Sequence, residues 1–402
     1  MKRLSKIMLA AVASVTLAAP AFAWDFSASG SATAKLNQTT TKVNKDALVI
    51  TSGGVASEGG GISLVSAHSD GAASATLTYA VDWADGGLDE TLSVSGAKKV
   101  GNWTASAGTS FNLDRYGCSD NTSTAVARCG QQTGEDSTSV TLTDGTMTII
   151  LGDAAHLSSQ NVSTSSAAAG AVSFDTADDD ASVGAFVGAY NGVSLGYKIS
   201  DTMSATVAYQ TSGAYTDACG LGDNAMDGEA NFPNASISGT GLSFNGTFGT
   251  IGVGATICNA ATEDKGDAST NPLPNSTAYS TMGIGITMDM GDIKPFLSIG
   301  SYSADGSQSK SSVGYSGNEL GLTYALGNDT IVFYYGSKVD SSTTAGTAAE
   351  DITTTGLELG YNTMVGPAAL GIGYGSQSIA QTDGAADGYS MTDIEFNLSY
   401  SF

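Results

Sequence analysis

Asp175, Asp178, Asp179 and Asp180 place four carboxylates within six residues. Clustered carboxylates draw cations, and hard ions such as Ca²⁺ favour them. Asp178, Asp179 and Asp180 lack the glycine spacing of a calcium-binding loop, so the plainer reading of the run is a solvated turn, and no cofactor is expected. Four cysteines, Cys118, Cys129, Cys219 and Cys258, show no C-x-x-C spacing, and the two histidines, His68 and His156, lie elsewhere in the chain. That spacing argues against a metal site. In an exported chain the cysteines read as disulfides. Of the three pairings, Cys118 with Cys129 and Cys219 with Cys258 are favoured, the first stapling one loop and the second joining two loops adjacent in strand order. A Ser/His/carboxylate set needs a histidine beside a nucleophile. Neither histidine occupies such a place in an alternating strand, so no enzyme is expected.

Residues 1–23 explain the export. Lys2, Arg3 and Lys6 precede an apolar run from Ile7 to Ala19, and Ala21-Phe22-Ala23 supplies a small-residue cleavage site before Trp24. That run is too short to cross a bilayer as a helix, for which roughly 20 residues are needed. Removing the leader takes away three basic residues and no acidic ones, so the formal net charge of −24 becomes −27. Nucleic acid is excluded as a partner by that sign. With 52 Gly, 6 Pro and only 13% charged residues, the chain lacks the water-facing charge of an ordinary soluble domain. A wall with lipid outside and a Ser/Thr/Gly-rich lumen inside has no need of it.

Among the elements that would hold these residues, strict alternation is clearest at Ser390–Phe402. Ile394, Phe396, Leu398, Tyr400 and Phe402 lie on one face, and Glu395, Asn397, Ser399 and Ser401 on the other. The code recurs in Trp24–Leu36, with Lys35 on the polar side, and in Val193–Ile199, with Lys198 on the polar side. Asp144-Gly145 between two alternating runs is a hairpin signal. Residues 38–57 read as a polar loop, Lys98-Lys99 as a turn, 113–136 as a loop, and a second polar loop as starting at Cys258. The segment from Ala154 to about Asp180 lacks strand periodicity, and a long segment without periodicity is functional or disordered. The expected fold is all-β: a transmembrane antiparallel barrel of 16–18 strands, best count 18, spanning residues 24–402, with short periplasmic turns and longer extracellular loops. Trp24, Tyr361, Tyr374, Tyr400 and Phe402 lie towards strand ends, where interfacial girdles form.

The leader, the stretch Val140–Asp153 ending in Gly-Asp, and the terminal strand Ile394–Phe402 together resemble the Gram-negative general porins, above all those of alphaproteobacteria. The resemblance implies a water-filled channel for passive diffusion of small hydrophilic solutes, a homotrimer in a bilayer bearing lipopolysaccharide, and a long loop folded inward to narrow the pore at about residues 154–180. It would set Asp175, Asp178, Asp179 and Asp180 at that constriction with Asp153 at its root, and Lys35 and Lys198 as opposing lumen cations. Family members set an arginine cluster against such acids. Here only Arg115 and Arg128 follow the leader, which favours simple cation preference. His156 stands as a pH-sensitive pore residue or a bystander. Phe396, Leu398, Tyr400 and Phe402 would form the signal read by the outer-membrane assembly machinery. The constriction is expected after the seventh strand, where family members have it after the fifth. A substrate-specific channel is the alternative, and a secreted β-rich adhesin a more distant one.

Overall fold

A computed structural model describes residues 24–43, 48–83, 89–113, 134–157, 190–212, 235–264, 275–306, 312–343, 350–381 and 388–402. They form strands almost throughout: β1 (Asp25–Val43), β2 (Leu48–Ser69), β3 (Ala73–Asp82), β4 (Asp89–Val100), β5 (Trp103–Asn112), β6 (Gly134–Thr143), β7 (Met147–Ala154), β8 (Tyr190–Ser200) and β9 (Met203–Ser212), followed by β10 (Ala235–Phe248), β11 (Ile251–Asp264), β12 (Asn275–Met288), β13 (Ile293–Gly306), β14 (Ser312–Leu326), β15 (Asp329–Thr343), β16 (Glu350–Val365), β17 (Ala368–Gln381) and β18 (Tyr389–Ser401). All belong to one 18-stranded antiparallel sheet, and β1 pairs with both β2 and β18, which closes the ladder. The fold is an antiparallel β-barrel. Closure has a physical cause: in hydrocarbon an unpaired sheet edge leaves backbone groups unsatisfied at several kcal/mol each, and a closed ladder has no edge.

Contacts divide the chain into two units. One holds Glu58–Asp144 with the residues up to Ala32 and Ser401–Phe402; the other holds Thr33–Ser57 and Gly145–Tyr400. Within the second unit the alternation inferred for the terminal strand is reproduced strand after strand. In β18, Ile394, Phe396, Leu398 and Tyr400 are exposed, while Asp393, Glu395 and Asn397 are buried. In β16, Leu359 is exposed, and its neighbour Glu358 is buried. Exposed apolar and buried polar side chains invert the pattern of a soluble domain, as a lipid-facing wall around a polar interior requires.

Tight turns connect the hairpins. At the β2–β3 turn Asp70 Oδ1 accepts the backbone N–H groups of Ala72 and Ala73, at 3.1 and 2.6 Å. Gly71 there has φ of 82°, a left-handed value at which other residues are strained. These two backbone bonds, with Ala73 the larger contributor, hold the exposed Asp70 carboxyl below its ordinary range.

Several expected boundaries move. The polar loop foreseen at 38–57 is mostly strand, because β1 continues to Val43 and β2 begins at Leu48. The turn foreseen at Lys98-Lys99 lies at Gly101-Asn102, since β4 runs on to Val100. Cys258 begins no loop: it lies inside β11, opposite Gly241 and Thr281. In each case the hydrogen-bonded ladder persists where the alternation of apolar residues, the sequence signal for strand length, has given out.

Candidate interior wall and channel site

The inward phase of β14–β18 carries carboxylates at mid-strand. Glu319 (β14), Glu358 (β16), Asp393 and Glu395 (β18) are all buried, with Glu319 at 0% and Glu395 at 1% exposure. Register explains how bulky acids fit on a crowded inner face. Glu319 stands opposite Gly336, Glu358 opposite Gly375 and Glu395 opposite Gly373, so each carboxylate borders a residue with no side chain. Tyr334, also buried, lies opposite both Gly321 and Glu358, on the strand between the two that bear Glu319 and Glu358.

Lys35 reaches this wall from β1. Its Nζ lies 3.0 Å from Glu395 Oε2, and Asn397 Nδ2 donates to Glu395 Oε1 at 2.7 Å. Thr39 Oγ1 donates to Asp393 Oδ1 at 2.7 Å, and Lys338 on β15 lies 3.4 Å from Asp340. The wall is therefore an anionic interior into which Lys35 and Lys338 are set, each against a carboxylate.

The other expected site residues fare differently. Lys198 is on the inward phase of β8 but at its end, where Nζ donates to Asp201 Oδ1 at 2.7 Å; the hydrogen bond and charge of that lysine hold the fully exposed turn carboxyl of Asp201 below its usual range. Lys198 and Lys35 thus face different acids. Asp153 is half-buried near the end of β7, opposite Asn191. Asp175, Asp178, Asp179, Asp180, Cys118, Cys129 and Cys219 lie outside the described residues. Cys258 is buried and disulfide-bonded. No group of three or more His, Cys, Asp or Glu residues among the described ones is arranged to hold a metal.

His156 has a definite place. Its Nε2 donates to the Gly152 carbonyl at 2.9 Å, and its Nδ1 lies 3.1 Å from Ser194 Oγ. The carbonyl can only accept, so Nε2 carries the hydrogen and Nδ1 takes the hydroxyl's. Sequence reasoning had no histidine beside a nucleophile, yet here a serine and a histidine touch. Both are 2% exposed, so no solute reaches the pair. The group that orients the ring through Nε2 is a backbone carbonyl, where a catalytic triad would have a carboxylate. Its work is positional. The next residue, Leu157, enters a buried apolar cluster with Ala208, Ile237, Cys258, Ala260, Tyr279, Tyr302 and Ala304. A Cβ at Gly241 would overlap the Leu157 side chain, so glycine there makes the notch that admits it. The chain leaving β7 is thus pinned to the interior wall at its first turn.

Solved structures share this architecture. Its fold is similar to that of porins. The anion-selective porin from Comamonas acidovorans superposes with a TM-score of 0.52 at 12% identity, covering 94% of this chain and 100% of that one. The outer membrane channel DcaP of Acinetobacter baumannii gives 0.49 at 13% identity, over 94% and 97% of the two chains. No family model and no curated protein matches the chain. At such identities the likeness is one of fold.

Glu319 and Glu358 escaped the sequence reading, which places Glu395 on the polar face of its strand but not among the site residues. A local signal was available for two of them: each is a lone carboxylate between outward apolar residues, in Leu357-Glu358-Leu359 and Ile394-Glu395-Phe396. In a strand that spacing can only point the acid to the face opposite the lipid.

Proposed function

We propose that the protein is an outer-membrane channel that lets small hydrophilic solutes and ions diffuse passively, with a preference for cations. One observation carries the reading: a closed 18-stranded ladder with most of its large apolar side chains exposed on the outward face and with many polar side chains, acids among them, on the inward face. A net negative interior lowers the energy of a passing cation and raises that of an anion. The porin from Comamonas is described as anion-selective; the acids on this chain's inner wall support the opposite sign here. We further propose a homotrimer in the cell outer membrane, removal of residues 1–23 on export, a narrowing formed by the segment from Ala154 to about Asp180 with its aspartates, and recognition of Phe396, Leu398, Tyr400 and Phe402 by the assembly machinery. The cysteine pairings Cys118–Cys129 and Cys219–Cys258 belong to the same proposal. A substrate-specific channel is the second reading.

The test is the reversal potential of the refolded protein in a planar bilayer under a KCl gradient. A potential of the sign for K⁺ permeation is expected. Absence of pores would sink the channel reading, and a chloride-selective potential would refute the charge argument alone.

A further inference from the structure

The hairpin of β12 and β13 sets two opposite charges side by side on the inner wall. Thr287 pairs with Phe296 and Met290 with Ile293, so Asp289 stands opposite Lys294. Both share the inward phase of Thr287 and Phe296, because Ile286, Met290, Ile293 and Leu297 hold the exposed apolar face. Residues opposed in this way have Cβ atoms about 4.5–5.5 Å apart, and opposite charges so placed attract. Here they do not close on each other. Among the described residues ion pairs form at Lys35, Lys198 and Lys338, and Lys294 and Asp289 make none. Asp289 is held instead by its own turn, where Oδ1 accepts the Gly291 N–H at 3.0 Å.

Both charges line one recess of about 420 Å³, shared with Thr247, Thr287, Thr323 and Phe296. That volume lies within the roughly 300–1,000 Å³ of small-molecule sites. Glycines open it: a Cβ at Gly252 would crowd the Thr287 hydroxyl, and one at Gly321 would overlap the Phe296 ring. Charge then decides among occupants. An anion would meet Asp289 here and the acids Glu319 and Glu358 on the same inner wall. A simple cation would meet Lys294. A solute carrying both signs on neighbouring atoms engages both groups and suffers no net repulsion from the acids. α-Amino acids have that arrangement, and the Phe296 ring offers an apolar side chain a surface.

We infer that this recess is a weak binding site for zwitterionic α-amino acids with an apolar side chain, Lys294 taking the carboxylate, Asp289 the ammonium and Phe296 the side chain. The inference rests on the channel reading and names a solute class for it; weak binding suits conduction, which needs a site that also lets go. The mature protein, refolded in a non-ionic detergent, is titrated calorimetrically at neutral pH with L-phenylalanine, 3-phenylpropanoate and 2-phenylethylammonium. L-Phenylalanine is expected to bind with a Kd on the order of 1 mM. Each analogue keeps the ring but only one charge, and should bind about tenfold more weakly. Lys294→Gln should weaken L-phenylalanine by a similar factor, as should Asp289→Asn, whose amide oxygen can still cap Gly291. Failure of L-phenylalanine to bind, equal binding of either analogue, or full affinity in either folded variant would overturn the inference. Single-channel current in KCl is recorded on the same preparation: its absence would strike the channel reading, while the titration still decides the site.

Discussion

At the scale of single residues, the Lys35–Glu395 pair and the Leu157 notch are the sharpest features. Glu395 is 1% exposed and Lys35 side-chain exposure is 12%. Replacing Lys35 by Met strands a buried carboxylate, a change that costs about 3 kcal/mol in comparable sites. The variant is expected to unfold at lower urea or temperature than the parent, and the double variant Lys35→Met/Glu395→Gln to recover most of the loss, as followed by the heat-induced shift of the folded band on a gel. At Gly241, Val would occupy the space of the Leu157 side chain. Overpacking of this kind costs about 1–3 kcal/mol. Gly241→Val should therefore lower the thermal midpoint, and adding Leu157→Ala should restore it; a Gly241→Val protein with unchanged stability would show that Leu157 has no fixed seat there.

At the scale of elements, the turns make a prediction in pH. Asp70 has its pKa lowered on folding, so its contribution is present above the ordinary carboxylate value of 3.8 and is lost as pH falls through the lower, folded value. Amide exchange at Ala72 and Ala73 should accelerate below that range beyond the intrinsic pH trend, and Asp70→Ala should exchange fast at every pH. The elements also show what a sequence can and cannot reveal. The strand Ile394–Phe402 is legible because each outward position is a large apolar residue, so the period of two is unbroken. The upper parts of β1 and β2 read as loop because Thr39-Thr40-Thr41 and Thr51-Ser52-Gly53-Gly54 put small polar residues on both faces, which erases the period although hydrogen bonding continues. Cys258 reads as a loop residue for the same reason: Asn259, Ala260 and Ala261 follow it. The phase of Lys35 is readable from its apolar neighbours Ala34 and Leu36. Its partner Glu395, near the other end of the chain, is not, because no local pattern encodes which strands meet at a closure.

For the whole molecule, the interior charge is the testable property. Converting Glu319, Glu358 and Glu395 together to Gln keeps the side-chain volumes and the glycine-opposed packing while removing three inward charges. The expected outcome is a smaller reversal potential under a KCl gradient with conductance of the same order. If selectivity is unchanged, the charge that sets it lies elsewhere on the chain, and the aspartates Asp175–Asp180 become the next candidates.

The junction of β1 with β18 has a consequence for how such a molecule comes to be folded. Gly30 and Phe402 exchange two backbone hydrogen bonds at 2.9 Å, and Thr33 reaches Ser399 across 366 positions of chain. Along the rest of the ladder, strands pair with their neighbours in sequence and form across one connection, at a lower closure entropy than a loop of the whole chain. The seam brings together segments from opposite ends of the chain, and contacts of high sequence separation are the slow ones. Hairpins should thus accumulate early as an open, sticky sheet, and the time that sheet spends unsealed is the time in which it is exposed to misassembly.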